Sequence, residues 1–335
     1  MKTHRTTPAA PSRREALVSL SALGALTAVG AWPRSARAAT LDGPLTLVVG
    51  YAPGGATDQV TRLVGERLQA RLGVSVVVEN RTGAGGRIAA QQAKRTPAGQ
   101  NLLMLGNPAV MVVAPVVFKD AGYDPETDFV PVSNVNQYDF GIAVGREVPV
   151  RELSHLVAWL RANPAQANFG VPATGSLPHF FGLMLGEAVK LQPQIVGYRG
   201  SAPLTTDLIG GSLPVAIDTF ETLLPQHRAG KIKVLAMSGT RRATFAPEVP
   251  TFREAGFDLA ASGWNAFFAP ATMPAAKVQL LAGAIRDVMK DPALQARFAE
   301  LNMTPVASTQ AETQAMLKAY RAQWLPVVKR SNFQP

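Results

Sequence analysis

The chain has 335 residues, 47% apolar and 17% charged, a balance that supports a large packed core and excludes a disordered chain. Cysteine is absent, which excludes disulfides, zinc–thiolate sites, iron–sulfur clusters and cysteine nucleophiles. The net charge of +10 falls to +5 once residues 1–38 are set aside, a mild excess that favours small anionic ligands. No basic run interleaved with aromatics points to nucleic acid.

Residues 1–38 read as an export signal. Ser12-Arg13-Arg14-Glu15 opens a charged region, an uncharged apolar stretch runs from Ala16 to Trp32, and Ala36-Arg37-Ala38 is a small-x-small cleavage site. The paired arginines resemble the twin-arginine signal, although Ala16 stands where that motif usually has Phe. The apolar stretch is 17 residues long and contains Gly, Ser and Thr, too short and too polar for a membrane anchor. The expectation is a mature protein in the periplasm, cleaved after Ala38.

In the mature chain, Leu45–Gly50 is a short apolar run expected as a buried strand. Val60, Leu63, Val64, Leu68 and Leu72 then share one helical face, and Gly73 ends that helix. Strands are expected at 74–78, 101–106, 140–145, 168–171, 194–198, 213–218 and 232–236. Helices fall between them, notably at 87–94, around 153–160 and around 181–189. After a strand-like 264–268 the chain reads as almost wholly helical. Doubly apolar strands alternating with helices over short turns predict an α/β fold with a parallel sheet covered by helices. With no linker between halves, two α/β lobes flanking a cleft are expected. Lobe 1 takes 39–142 plus 262–335, and lobe 2 takes 143–261.

Three strand-end loops carry the candidate chemistry. In open α/β sheets ligands sit at this position, and a helix N-terminus offers unpaired N–H donors to an anion. The first loop holds Tyr51, Pro53, Gly54, Gly55, Ala56, Thr57 and Asp58. No Lys follows its glycines, so it is not a phosphate P-loop. Asp58 would repel an anion, so it is expected to cap the helix or to take a ligand amine or hydroxyl. The second loop holds Ala173, Thr174, Gly175, Ser176 and His179, with hydroxyls that can cap the helix or meet a ligand. The third holds Tyr198 and Arg199, the latter able to pair a carboxylate bidentately. Asp218, at the end of an apolar strand, is expected to face the cleft. The glycine turn at 83–86 breaks the dinucleotide fingerprint, because Ile88 stands where Gly or Ala belongs.

A serine hydrolase built on Ser176, His179 and Asp218 or Asp58 is the competing reading, weakened by the lack of Gly-x-Ser-x-Gly spacing. The three mature histidines, His155, His179 and His227, show no metal-ligand spacing, and neither metal nor cofactor is expected.

Val49–Asp58, Val78–Arg87, Val196–Gly200 and Trp264–Pro270 together resemble the Bug family, extracytoplasmic solute receptors of tripartite tricarboxylate transporters. The resemblance implies a type II periplasmic-binding-protein fold that closes on a small organic carboxylate. It places the ligand carboxylate between residues 51–58 and 173–179, with Asp218 near the distal end. It also implies a non-catalytic monomer that hands solute to the transporter's membrane subunits, with a sensory receptor uncoupled from transport as an alternative.

Overall fold

The computed structural model describes residues 41–331 and Phe333, so the expected signal peptide and its cleavage site lie outside the described residues. β1 (Leu45–Val49) leads through the first glycine loop into α1 (Ala56–Leu72). Val60, Val64 and Leu68 of α1 are buried. Gly73 ends the helix at φ 69°, its N–H bonded to Gln69 O at 3.0 Å, a left-handed turn that glycine adopts without strain. β2 (Val76–Asn80), α2 (Arg87–Ala93) and β3 (Asn101–Gly106) follow. A π-helical turn at Ala109–Val113 and the short α3 (Ala114–Val117) precede β4 (Phe129–Gly145).

The next run is α4 (Leu153–Ala162), β5 (Asn168–Val171), α5 (Leu177–Val189), β6 (Gln194–Gly197), α6 (Ser201–Gly210), β7 (Val215–Thr219), α7 (Phe220–Arg228) and β8 (Ile232–Met237). β9 (Ser262–Pro270), α8 (Ala275–Met289), α9 (Pro292–Glu300), β10 (Thr304–Pro305) and α10 (Gln310–Arg330) complete the chain.

The strands follow one path, β2-β1-β3-β9-β4-β7-β5-β6, with β8 and β10 also paired to β4. At either end the sheet is parallel, β2-β1-β3 and β7-β5-β6, as the alternating pattern predicts. The expectation of a parallel sheet throughout fails in the middle. β9 runs antiparallel to β3 and β4, and β4 runs antiparallel to β7 and β8. These long strands carry the chain between the two parallel groups. β4 pairs with β9 over Phe129–Asp139, then with β7 and β8 over Phe140–Gly145. The expected strand at 140–145 is therefore the second half of a 17-residue strand.

The first half of β4 escaped the apolar signal because it carries Ser133, Asn134 and Asn136. All three are buried; the side chains of Ser133 and Asn136 and the backbone of Asn134 are hydrogen-bonded rather than solvated. Ser133 Oγ donates to Ser308 O at 2.8 Å, and Asn265 Nδ2 donates to Asn136 Oδ1 at 2.7 Å.

Three apolar layers hold the sheet to its helices. Leu47, Val64, Leu105, Ile285 and Phe298 pack one face of the β2-β1-β3-β9 group against α1, α8 and α9. Met104, Phe140, Phe169, Phe181 and Trp324 form a continuous core on the other side, and α10 reaches it through Trp324, which meets Phe140 edge-on. Leu204, Leu208, Phe220 and Leu224 close the layer beneath α6 and α7.

Candidate functional site

The first rim is the loop from β1 to α1. It can lie directly on the 83–86 turn because both contact positions are glycine. A Cβ on Gly50 would fall 2.8 Å from Gly86 Cα, and one on Gly86 (φ +93°) would fall 2.7 Å from Val110 Cγ2. Tyr51 is half-buried, with its hydroxyl accepting from Asn107 Nδ2 at 2.9 Å. Burial pushes the Tyr51 phenol above its ordinary pKa, and the Asn107 contact only partly opposes this. Pro53, Gly54, Gly55 and Ala56 are exposed, and Thr57 is half-buried. Gly55 begins α1 without a side-chain cap, so the first-turn N–H groups have no side-chain acceptor.

Asp58 faces inward. Its Oδ2 accepts from Gly54 N–H and Arg62 Nε, both at 2.9 Å, and its Oδ1 accepts from Asn80 Nδ2 at 2.8 Å. Burial acts to raise its pKa, but Arg62, the Gly54 N–H and the Asn80 amide outweigh it and hold the carboxyl below the usual carboxylate range. Asn80 Nδ2 also reaches Tyr51 O at 3.0 Å. The carboxylate thus shapes the loop from behind and leaves its exposed face free of acid.

The second rim is made by the ends of β5 and β6. Tyr198 N–H donates to Val171 O at 2.9 Å and Gly200 N–H to Pro172 O at 2.8 Å, so the two loops are bonded to each other. Thr174 sits directly over Gly197, where its Oγ1 leaves no room for a Cβ. Ala173 and Thr174 are exposed, and Gly175 and Ser176 are half-buried. Ser176 caps α5, its Oγ accepting from His179 N–H at 3.4 Å.

The His179 ring is buried, stacked on Phe180 at 5.0 Å and met edge-on by Phe333 at 5.3 Å. Its Nδ1 accepts from Gly175 N–H at 2.8 Å. Burial lowers its pKa, which keeps the ring neutral with its proton on Nε2. The Ser–His contact that a hydrolase would need is not formed, because the imidazole is bonded to Gly175 rather than to Ser176 Oγ. Asp58 is committed to the other rim. Tyr198 donates its hydroxyl to Asp207 Oδ2 at 2.9 Å; burial, then Asp207, pushes the phenol up to about 12. Arg199 is exposed and enters none of the ion pairs among the described residues.

Asp218 lies beside the second loop. The parallel register pairs Gly170 with Ala216, which brings Asp218 level with Pro172 one strand away. Asp218 is 1% exposed. Its Oδ1 accepts from Thr219 N–H at 2.7 Å, and its Oδ2 is buried without a partner. Burial pushes its carboxyl up to about 6.

The structure adds residues that the sequence reading did not single out. Asn80 and Asn107 hold the first loop, Phe333 covers the second, and Asp139 and Glu221 flank Asp218. Of these, only the Asp218-Thr219-Phe220-Glu221 run carried a visible signal, a second acid just past a polar strand end. A groove of about 720 Å³ between α10 and residues 125–131 lies away from both rims.

Two α/β lobes joined through long shared strands, with strand-end loops gathered on their rims, define a solute-binding protein of the periplasmic type. A family model described as a tripartite tricarboxylate transporter family receptor matches residues 60–333, and the chain belongs to that family of extracytoplasmic solute receptors. It is 34% identical over 293 residues to a UPF0065 protein of Bordetella bronchiseptica, covering 87% of each chain. Among solved structures it resembles Rpa4515 of R. palustris with adipate (29% identity, TM-score 0.79, 91% of this chain and 100% of the other). The periplasmic binding protein BugD is similar at 29% identity and TM-score 0.75, with 88% and 99% covered. Members of the family are solute receptors rather than enzymes. No helix among the described residues is long and apolar enough to cross a membrane.

Proposed function

We propose that this receptor captures a small organic carboxylate between its two rims. The carboxylate would lie against the exposed start of α1, with Tyr51, Pro53, Gly54, Gly55, Ala56 and Thr57 on one side. Ala173, Thr174, Gly175 and Ser176 would face it from the other, with His179 buttressing their loop. Tyr198, Arg199 and Asp218 would meet the rest of the solute. Asp58 acts from behind, by holding the first loop in shape. The observation that carries this reading is the uncapped first turn of α1, exposed at Gly55 and Ala56, whose neighbouring acid is turned inward, so that an anion would meet N–H groups without a side-chain acceptor and no competing charge.

Lobe 1 (39–142 plus 262–335) and lobe 2 (143–261) would close on the ligand by a hinge motion through the long central strands. The protein would work as a periplasmic monomer, exported and cleaved after Ala38, delivering solute to the membrane subunits of a tripartite tricarboxylate transporter.

The test is thermal unfolding of mature protein, refolded from denaturant to strip bound solute, against linear dicarboxylates, citrate-like acids, amino acids and aromatic acids. A ligand at about 100 times its Kd stabilises by roughly 2.7 kcal/mol, or several degrees in Tm. A shift confined to one class of acid supports carboxylate capture, and a flat response across the panel overturns it.

A further inference from the structure

Asp139, Asp218 and Glu221 converge beside the second rim. In the β4–β7 register Gly141 lies directly opposite Asp218. A Cβ at Gly141 would touch Leu223 and Phe220 of α7, at 3.1 and 3.3 Å, which identifies that face of the sheet as the one beneath α7. Residues opposite one another share a face, as do residues two apart on one strand. Asp139 and Asp218 therefore both project toward α7, as diagonal neighbours roughly 7–8 Å apart. Glu221 lies in the first turn of α7. Its carboxyl is pushed up to about 8 by burial and then by the charges of Asp218 and Asp139, so Glu221 senses both acids. Burial raises Asp139 to about 7.

Among the described residues these groups are met by neutral donors alone, the Thr219 N–H to Asp218 Oδ1 among them. Among the described residues, no lysine or arginine forms an ion pair with any of the three. Asp218 Oδ2 and Asp139 Oδ1 are buried without a well-formed hydrogen bond, the Ser201 hydroxyl lying near the Asp218 carboxyl. A buried carboxylate oxygen with neither donor nor countercharge is unfavourable and marks a place where a partner belongs. The partner is not a metal ion, since no group of three acids or histidines among the described residues is arranged to hold one. A second carboxylate, such as adipate carries, would add like charge to the cluster. An ammonium group supplies three donors and the missing positive charge together.

We propose that Asp139, Asp218 and Glu221 form a subsite for an ammonium group, making the solute an amino carboxylate held by its acid end at the helix N-termini and by its amine at this cluster. This rests on the carboxylate-capture reading above.

The experiment compares four six-carbon acids by isothermal titration calorimetry on refolded, ligand-free protein at pH 7.5: 6-aminohexanoate, norleucine, adipate and hexanoate. At least one amino acid is expected to bind tenfold or more tighter than both adipate and hexanoate. In Glu221→Gln and Asp139→Asn, each checked for a native melting transition, that amino acid's advantage over hexanoate should fall about tenfold. Glu221 is only half-buried, so its variant is the one expected to fold without difficulty. Adipate or hexanoate binding as tightly as either amino acid overturns the ammonium subsite and leaves carboxylate capture standing. An amino-acid preference that survives both substitutions also overturns it. No binding by any of the four overturns the ammonium subsite, and carboxylate capture then stands or falls with the full acid panel above.

Discussion

The two rims solve one problem with different forces. Each is a glycine-containing loop between a buried strand and a helix N-terminus. The 50–58 loop is held by charge, with Asp58 accepting from Gly54, Arg62 and Asn80. The 172–179 loop is held by neutral contacts, namely its backbone bonds to the β6 loop, the Gly175 N–H to His179 Nδ1, and the Phe180 and Phe333 rings around that imidazole. A loop fixed by an ionised carboxylate depends on that one group and on pH. A loop fixed by packing spreads its stability over many weak contacts. The first rim should therefore fail abruptly when one atom set is removed, and the second by degrees.

The largest effect is expected from Asp58→Ala. Removing the acid leaves the Gly54 N–H without its acceptor, takes one of two acceptors from Asn80 Nδ2 and frees Arg62, whose side chain is already half exposed. Orphaning such partners should cost about 2–3 kcal/mol, a fall in Tm of roughly 3–5 °C for a protein of this size. Differential scanning calorimetry reads it directly. A loss below 1 °C would mean that the network does not hold the loop.

Acidity separates the rims in opposite directions. The Asp58 pKa is held below its ordinary value, so the stability it contributes is present above about pH 4 and is lost as pH falls through the folded value. Asp218, Asp139 and Glu221 are pushed up to about 6, 7 and 8. Their contribution is complete below about pH 4 and is lost as pH rises through those values. Ligand-free protein should thus lose Tm between pH 5 and pH 8. Glu221→Gln should flatten that decline while leaving the acid limb unchanged, whereas Asp58→Ala should flatten the acid limb. Parallel pH profiles for the wild type and Glu221→Gln would show that the acidic cluster is solvated.

Phe333→Ala probes the packed rim. Phe333 is partly buried, and its loss uncovers the His179 ring and the Gly175 backbone, where a Cβ would lie 2.8 Å from the Phe333 ring. About 1–2 kcal/mol is at stake. Hydrogen exchange should accelerate at residues 173–179 and stay unchanged at 50–58. Equal acceleration in both loops would mean that the ring acts on global stability rather than on this rim.

How much of this could be read from the sequence follows the same division. The parallel ends of the sheet were legible because their strands are apolar and bounded by glycine; the 101–106 and 168–171 strands fall where the pattern puts them. The crossing strand β4 was half-hidden because buried Ser133, Asn134 and Asn136 mimic a solvated loop, and contacts far along the chain hold them: Ser308 meets Ser133 and the Asn134 backbone, and Thr304 and Asn265 meet Asn136. The loops were visible from their glycines and their position. What locks them was not, since Asn80, Asn107 and Phe333 act across 22, 56 and 154 positions of sequence. The acidic cluster needed the β4–β7 register, which periodicity cannot supply.

The smallest expected change in stability separates capping from binding at Ser176. The side chain accepts the His179 N–H, and its own hydroxyl hydrogen is left to donate. Ser176→Ala removes both roles, costing about 1 kcal/mol as a lost cap and weakening carboxylate binding. Ser176→Asp keeps the cap, because aspartate is among the best N-cap residues, and favours the positive end of α5. It also places a fixed carboxylate where the solute's would sit. Ligand-free Ser176→Asp should therefore melt within about 1 °C of wild type while its affinity for the cognate acid falls at least tenfold. If the capped variant binds as well as wild type, Ser176 is a helix cap alone, and capture rests on the start of α1.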